Sequence, residues 1–302
     1  MAYRIAVEDR SVEQAVRRIA DEQIVKALRS IDRRDQAYAV HDVRRRCKKL
    51  RALVRLVRPV FAEYERENAA FCDIARIISG SRDAAVMLAT HDLLATELGK
   101  GHDRRALGAV RRRLTLQRKA EAALVDPAAF LDLCRDQLAD ARERVAGWQL
   151  AAEEWQALGP GLERSYRRLH RDARRAMDDG SPEKFHALRK QVKYHGFHTR
   201  LLAPLWPEAM AVRLDMAEEL GEMLGLHHDL WVFETRIVAT SDDFGAGLAL
   251  DALLSLARLK QAELEALSIP LLDRLLSETP FALEERWGAL WNSWRGRQIS
   301  RS

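Results

Sequence analysis

The chain is poor in the residues that break helices or staple small folds. Its 302 residues include 8 prolines, 15 glycines and 3 cysteines. Cys47, Cys72 and Cys134 form no CxxC pair, so a disulfide framework is not indicated and reduced thiols in a cytoplasmic setting are expected. No stretch approaches the roughly 18 uncharged apolar residues of a membrane span. The N-terminus, MAYRIAVEDRSVEQ, has no apolar signal core. Neither membrane contact nor secretion is expected. There is no low-complexity tract and no alternating strand pattern bounded by turns, which leaves an all-α reading. Apolar residues make up 47% of the chain, enough for a sizeable core.

Charge is present in quantity but unevenly placed. The formal net charge is only +5, yet residues 1–150 carry 30 bases against 22 acids, residues 160–203 carry 11 against 5, and residues 204–302 carry 9 against 16. Positive charge gathered on particular helices suits a polyanion site better than general solubility does.

The densest stretch is HDVRRRCKKLRALVRLVRPVF, His41 to Phe61. It holds no glycine and one late proline, so it reads as one helix. His41, Arg44, Lys48, Arg51, Arg55 and Arg58 recur at steps of three and four and share one face, a stripe about 25 Å long. One position earlier, Val40, Val43, Cys47, Leu50, Val54 and Val57 make an apolar stripe suited to a core. An ordinary solvated helix mixes signs, because like charges four apart repel. From Asp35 to Arg58 there are eight bases and two acids.

The stripe occurs twice. At a shift of 145, HALRKQVKYHGFHTRLLAPLW repeats it: His41, Arg44, Lys48, Arg55 and Pro59 match His186, Arg189, Lys193, Arg200 and Pro204. Lys190 stands at the position of Arg45, Gly196 at that of Arg51 and Ala203 at that of Arg58, so the second stripe is thinner. The repeat implies two similar halves, residues 1–158 and 159–302, meeting at Gly159-Pro-Gly161.

Helix signals elsewhere follow the same plan. Ser11 to Gln14 is a capping-box pattern opening a first helix to about Ser30. Helices are expected over about Phe61–Ser79, Arg82–Leu98 and Asp103–Leu124, with a turn at Gly99-Lys-Gly101. Asp126-Pro127 opens another, to about Val145, and one over Leu162–Met177 closes at Asp178-Asp-Gly180. Ser181-Pro182 should cap the second striped helix. A helix from Trp206 should break at Gly225, with His227-His228 at the next helix start. Helices over Asp243–Leu267, Pro270–Ser277 and Pro280–Trp294 complete the chain, and a frayed tail follows.

The doubled His-x-x-Arg-x-x-x-Lys helix, and an Asp-x-x-Val element after it (Asp83 and Val86; Asp229 and Val232), resemble the CHAD domain, the conserved histidine α-helical domain. The resemblance runs from about Ser11 to about Trp294. It implies two four-helix bundles related by internal duplication, with basic side chains facing a central cavity. It also implies binding of inorganic polyphosphate without catalysis or cofactor, in association with polyphosphate granules. Some members are fused to a tunnel-type triphosphatase; this sequence is expected to be a stand-alone copy. By the resemblance, His41, Arg44, Lys48, Arg51 and Arg55, with His186, Arg189, Lys190, Lys193 and Arg200, are the candidate phosphate contacts. Arg17, Arg111, Arg167, Arg171 and Arg174 on other basic helices are added to them.

A phosphate chain offers repeated negative charge and no base edges, so it needs a track of donors: planar forks from Arg and point charges from Lys. A nearby anion favours imidazolium, so His41 and His186 are expected to strengthen binding between pH 8 and pH 6.

Three rival readings exist. Four His-Asp dipeptides, at His41, His91, His102 and His228, suggest a helical metal-dependent phosphohydrolase, but His41 lies among cations and its match His186 is followed by Ala187. Nucleic acid is expected only as a competing polyanion, since no helix-turn-helix, zinc spacing or RNA-binding aromatic motif is present and the tryptophans read as core. The third is a structural helical scaffold whose charge is incidental.

Overall fold

A computed structural model describes residues 3–33, 35–78, 80–99, 103–123, 126–240, 244 and 247–299. The described residues are helical, with no strand among them. The helices are α1 Val12–Ile31, α2 Gln36–Leu56, α3 Tyr64–Ile77, α4 Gly80–Leu98, α5 Arg104–Ala123, α6 Pro127–Ala146, α7 Glu154–Asp179, α8 Pro182–Leu201, α9 Pro207–Ala239, α10 Leu248–Leu275 and α11 Pro280–Ile299.

Local chemistry sets many of the ends. The Ser11 hydroxyl accepts from the Gln14 N–H at 3.1 Å, and Asp35 accepts from the Tyr38 N–H at 3.0 Å, each satisfying a donor that the first helical turn leaves open. Asp126 caps α6 through the N–H groups of Ala128 and Ala129. Ser181 does not cap α8 as expected: its hydroxyl donates to Asp179 at 3.0 Å, leaving Pro182 at the first position to start the helix. The ends of α2 and α8, at Leu56 and Leu201, lead into 3-10 turns, Arg58–Val60 and Ala203–Leu205. Each turn contains one of the matched prolines, Pro59 and Pro204.

α1, α2, α3 and α6 pack together, as do α7, α8, the first half of α9 and α11. α2 joins the two groups by packing against α7 and α8. On α2, Val43, Cys47, Leu50, Val54 and Val57 are fully buried; each large aliphatic so buried contributes about 1.5–3 kcal/mol. The main apolar core runs without interruption from Tyr3 through Tyr166 and Leu188 to Trp294, across the point where the halves were expected to meet. Trp148, Trp287, Trp291 and Trp294 lie in it, while Trp206 is exposed. A second, smaller core belongs to an outlying group: α4, α5, the far half of α9 and the near half of α10 bury Met87, Leu94, Leu107, Leu114, Leu230, Phe233 and Leu253 together.

Three expected breaks are absent. α7 runs through Gly159-Pro160-Gly161, α9 runs unbroken through Gly225, and α10 runs through Pro270. His227 and His228 therefore lie mid-helix. Residues 79, 100–102, 124, 125, 243 and 300–302, on which the expected Ser79 break, the turn after Gly99, two helix bounds and the end of the tail fall, lie outside the described residues, as does the Asp83 side chain.

Packing explains the glycines of α7. A Cβ on Gly161 would stand 1.7 Å from the Leu56 carbonyl oxygen, and one on Gly159 would meet Trp155 and Glu284. They permit a close helix approach and do not mark a linker. Gly161→Ala is therefore expected to destabilise by about 1–3 kcal/mol, the usual cost of overpacking, because the obstacle is backbone. Gly108→Ala on α5, where a Cβ meets only the Arg112 guanidinium at 3.9 Å, should instead gain up to about 1 kcal/mol of helix propensity. Urea unfolding of both variants checks the pair.

Candidate functional site at the crossing of α2 and α8

The two basic stripes meet where α2 crosses α8. His198 Nε2 lies 2.9 Å from the Ala52 carbonyl and fixes the crossing. The Arg55 guanidinium sits over the Tyr194 ring, 4.5 Å from its centroid. His186 feels the charge of Lys48 as well as those of its own neighbours Lys190 and Arg189, and Lys190 feels Arg51. Lys49, one residue beyond the stripe, feels Arg200.

These contacts are reciprocal. Tyr194 is Lys49 plus 145, and Arg200 is Arg55 plus 145. Arg55 meets Tyr194, and Lys49 feels Arg200, so the pairs exchange under the same shift that aligns the sequences.

The cations are crowded. Burial, together with Arg46, Arg200, Arg45 and Lys26, holds the Lys49 ammonium down to about 8. Burial and Arg51 lower Lys190; burial and Arg189 lower Lys193, against the opposing pull of Glu222 and Glu218. His186 is pushed down to about 3, by burial first and then by His228, Lys190, Arg189 and Lys48. Its ring stacks on His228 at 4.0 Å, which in turn lies 5.6 Å from Trp231. Without a bound anion, His186 is therefore neutral between pH 8 and pH 6, held so by burial first and by the surrounding cations second. His41 is exposed at the start of α2.

Neighbouring helices hold the cations in place. Arg44 donates to the Ala75 carbonyl at 2.9 Å, and Arg51 to Asn68 at 3.3 Å, both on α3. On the other side, α9 offers two glycines four residues apart. A Cβ on Gly225 would stand 3.1 Å from an Arg189 guanidinium nitrogen, and one on Gly221 would stand 2.8 Å from the Lys193 ammonium. The notches therefore seat Arg189 and Lys193, themselves four apart, against the α9 backbone. Arg200 forms an ion pair with Glu218. Gly196, in the place of Arg51, is buried with its Cα toward Ala217 of α9.

The N-terminal segment lies beside the crossing. Tyr3 donates to the Lys49 carbonyl at 2.7 Å, its ring takes the Lys49 ammonium at 5.0 Å, and the Ile5 N–H donates to the Leu201 carbonyl at 3.0 Å.

Five candidate residues lie elsewhere. Arg17 donates to the Trp148 carbonyl at 2.6 Å and pairs with Glu13, clamping α1 to the end of α6. Arg111 makes a two-pronged pair with Asp92 at 2.7 and 2.8 Å in the outlying group. Arg167, Arg171 and Arg174 line a separate hollow with His170 and residues 276–280; there Arg167 pairs with Glu163 and Arg171 with Asp172. Lys49, Tyr194, His228, Gly221 and Gly225 were not foreseen. The glycine pair carried a usable signal, since Gly225 is Gly80 plus 145.

The His-Asp dipeptides are dispersed. Asp42 pairs with Arg45 and Arg46, Asp92 pairs with Arg111, and His227, beside the fourth dipeptide, meets Glu265 at 2.8 Å. His102 lies outside the described residues. Among the described residues no group of three or more His, Cys, Asp or Glu side chains is placed to hold a metal. None of the described helices is long and apolar enough to cross a membrane. Cys47, Cys72 and Cys134 are free thiols.

The fold is an all-helical one in which paired bundles cross through two histidine-led basic helices. A family model for the CHAD domain matches residues 14–238, and the chain belongs to that family. No curated protein matches it. Among solved structures, PptA from Streptomyces chartreusis is 16% identical, with a TM-score of 0.61 over 87% of this chain and 96% of that one. The CHAD domain from the plant Ricinus communis is 17% identical, with a TM-score of 0.59 over 90% and 96%. At these identities the likeness is one of fold.

The buried histidines tie stability to pH. His186 and His198, the latter lowered to about 4 by burial, bind protons in the unfolded chain near their ordinary value of 6.5 but not in the folded one. Their contribution is complete above about pH 6.5 and is lost as pH falls toward 4 and 3. The urea midpoint should drop already between pH 6.5 and 5, above the range where the lowered carboxyls Asp42, Asp92 and Glu278 act. His186→Gln should flatten that drop.

Proposed function

We propose that the protein binds inorganic polyphosphate along the facing stripes of α2 and α8, without catalysis. The two helix groups, α1–α3 with α6 and α7–α9 with α11, act as copies about a pseudo-twofold that brings the stripes together over one basic cavity, the division falling before α7 and not within it. The contact of Arg55 with the Tyr194 ring, where α2 and α8 cross, carries this reading, and the charge of Arg200 felt at Lys49 agrees with it.

The physical support is unrelieved like charge. Lys49, Lys190 and Lys193 are lowered by burial and by neighbouring cations. A bound polyanion would supply the missing negative charge and return these ammonium groups toward their ordinary state. A linear phosphate chain fits a stripe with donors every three or four residues, and its repeated oxygens suit both arginine forks and lysine point charges. Nucleic acid enters only as a competing polyanion. In the cell this binding would place the protein at cytoplasmic polyphosphate granules.

Lys48 and Lys190 both keep an exposed surface, Lys190 being desolvated only in part by its crowded surroundings, so their reversal tests binding with little effect on the fold. Lys48→Glu and Lys190→Glu should each weaken polyphosphate binding about ten-fold, equivalent to about 1.4 kcal/mol. Titration at fixed ionic strength reads this; unchanged affinity in both variants would sink the proposal.

Proton linkage gives an independent test. Binding favours charged Lys49, whose free value is about 8, so affinity should rise as pH falls from about 10 and level off below about 7. Lys49→Met should remove most of that rise.

A further inference from the structure

We infer that α5 is a second, external anchorage for the same linear phosphate polyanion, holding the part of a long chain that extends past the α2–α8 crossing. This rests on the reading proposed above and adds a dependence on chain length to it.

α5 is as basic as α2, with seven bases against one acid in each helix. Arg104, Arg105, Arg111, Arg112, Arg113, Arg118 and Lys119 lie on it with no acid between them. Only Leu107, Val110 and Leu114 of this helix are buried. All of these bases except the half-buried Arg113 are exposed. They form two adjacent rows at heptad spacing, 104–111–118 and 105–112–119, each about 21 Å long at 1.5 Å per residue.

The described acids around α5 are already engaged. Asp92 takes Arg111, Glu97 takes Lys260 at 2.8 Å, Glu121 takes Arg236, and the Asp103 carboxylate accepts the Arg105 backbone N–H at 2.8 Å. The rows therefore present net positive charge to whatever approaches.

The shape of this surface selects the ligand. A protein partner or a lipid surface needs an apolar centre or an apolar face to bury. On α5 the one large exposed apolar side chain is Leu116. A flexible linear polyanion needs neither and can lie along either row.

Placement makes α5 a continuation of the crossing. α9 connects them: its His228 stacks on His186, and its Arg236 pairs with Glu121 near the end of α5. Those two α9 residues are about 12 Å apart along the helix axis. A chain emerging beside His186 needs only a short span to reach α5, so the second contact is intramolecular and adds avidity.

The test uses the full chain with Arg105→Gln, Arg112→Gln and Lys119→Gln combined, all exposed, with thermal melting to verify the fold. Wild type and variant are titrated with a short oligophosphate, a long polyphosphate and single-stranded DNA, across a salt series. The triple variant should lose about ten-fold or more in affinity for the long chain and show a salt slope shallower by about two to three. The short oligophosphate should bind as before. Equal loss for both lengths, or loss for neither, overturns the inference. Loss confined to DNA overturns it as well and assigns α5 to nucleic acid. If instead the wild type fails to bind the short oligophosphate, or Lys48→Glu binds it as tightly as wild type does, it is the reading of the crossing that fails.

Discussion

The close crossing at the end of α2 is the constraint on which the rest of the molecule depends. Gly161 of α7 lies against the Leu56 carbonyl, where a methyl group would stand 1.7 Å away, and His198 of α8 meets Ala52 one turn earlier. Two helices are thereby fixed on the same stretch of α2. Once they are fixed, Lys48 and Arg51 of α2 lie close enough to His186 and Lys190 of α8 for each to feel the other's charge. The main core supplies the energy for this: the apolar stripe is fully buried from Val43 to Val57, and its burial outweighs the modest surface repulsion of a few tenths of a kcal/mol per like-charged pair.

α9 gives the crowded cations a rigid wall. Its glycines lie four residues apart, in step with Lys193 and Arg189 on α8. A glycine inside a helix costs about 1 kcal/mol of propensity, yet the helix remains continuous across 33 residues. Packing on both sides offsets that cost. The same length carries α9 out of the main core into the outlying one, where Leu230, Phe233 and Ile237 are buried. One helix thus positions the second stripe and supports α4, α5 and α10 beyond it.

What was legible in the sequence was local and periodic. The stripes and the caps at Ser11 and Asp126 follow from spacing and side-chain type alone, whereas the cap at Asp35 appears only in the structure. The apolar stripe of α2 could be read because a 3.6-residue period reports one buried face. The glycine and proline positions were misread because propensity is a weak signal that tertiary contact overrides. Gly159 to Gly161 reads as a linker by composition, while its meaning comes from Leu56, about a hundred residues earlier. Tyr194 and Lys49 escaped notice for a related reason: neither lies on a stripe, and their part in the site appears only when the copies are set face to face. The histidines were found, but the burial of His186 and its closeness to His228 and Lys48 were not legible, since both neighbours come from other helices.

The two matched stripes are not alike in charge, and packing explains part of the difference. Gly196 occupies the place of Arg51, and a Cβ there would sit 3.5 Å from the Ala217 Cβ. α9 has moved onto α8 at that point, so the position faces a helix and a long cation has no room. Arg200 is moreover paired with Glu218 of the same α9, whereas Arg55 rests on an aromatic ring and keeps its full charge available. The first half therefore contributes more uncompensated charge, and the second contributes more of the rigid support. A polyanion lying between them would be held by one stripe chiefly through charge and by the other chiefly through fixed geometry, so that substitutions at matched positions need not have matched effects.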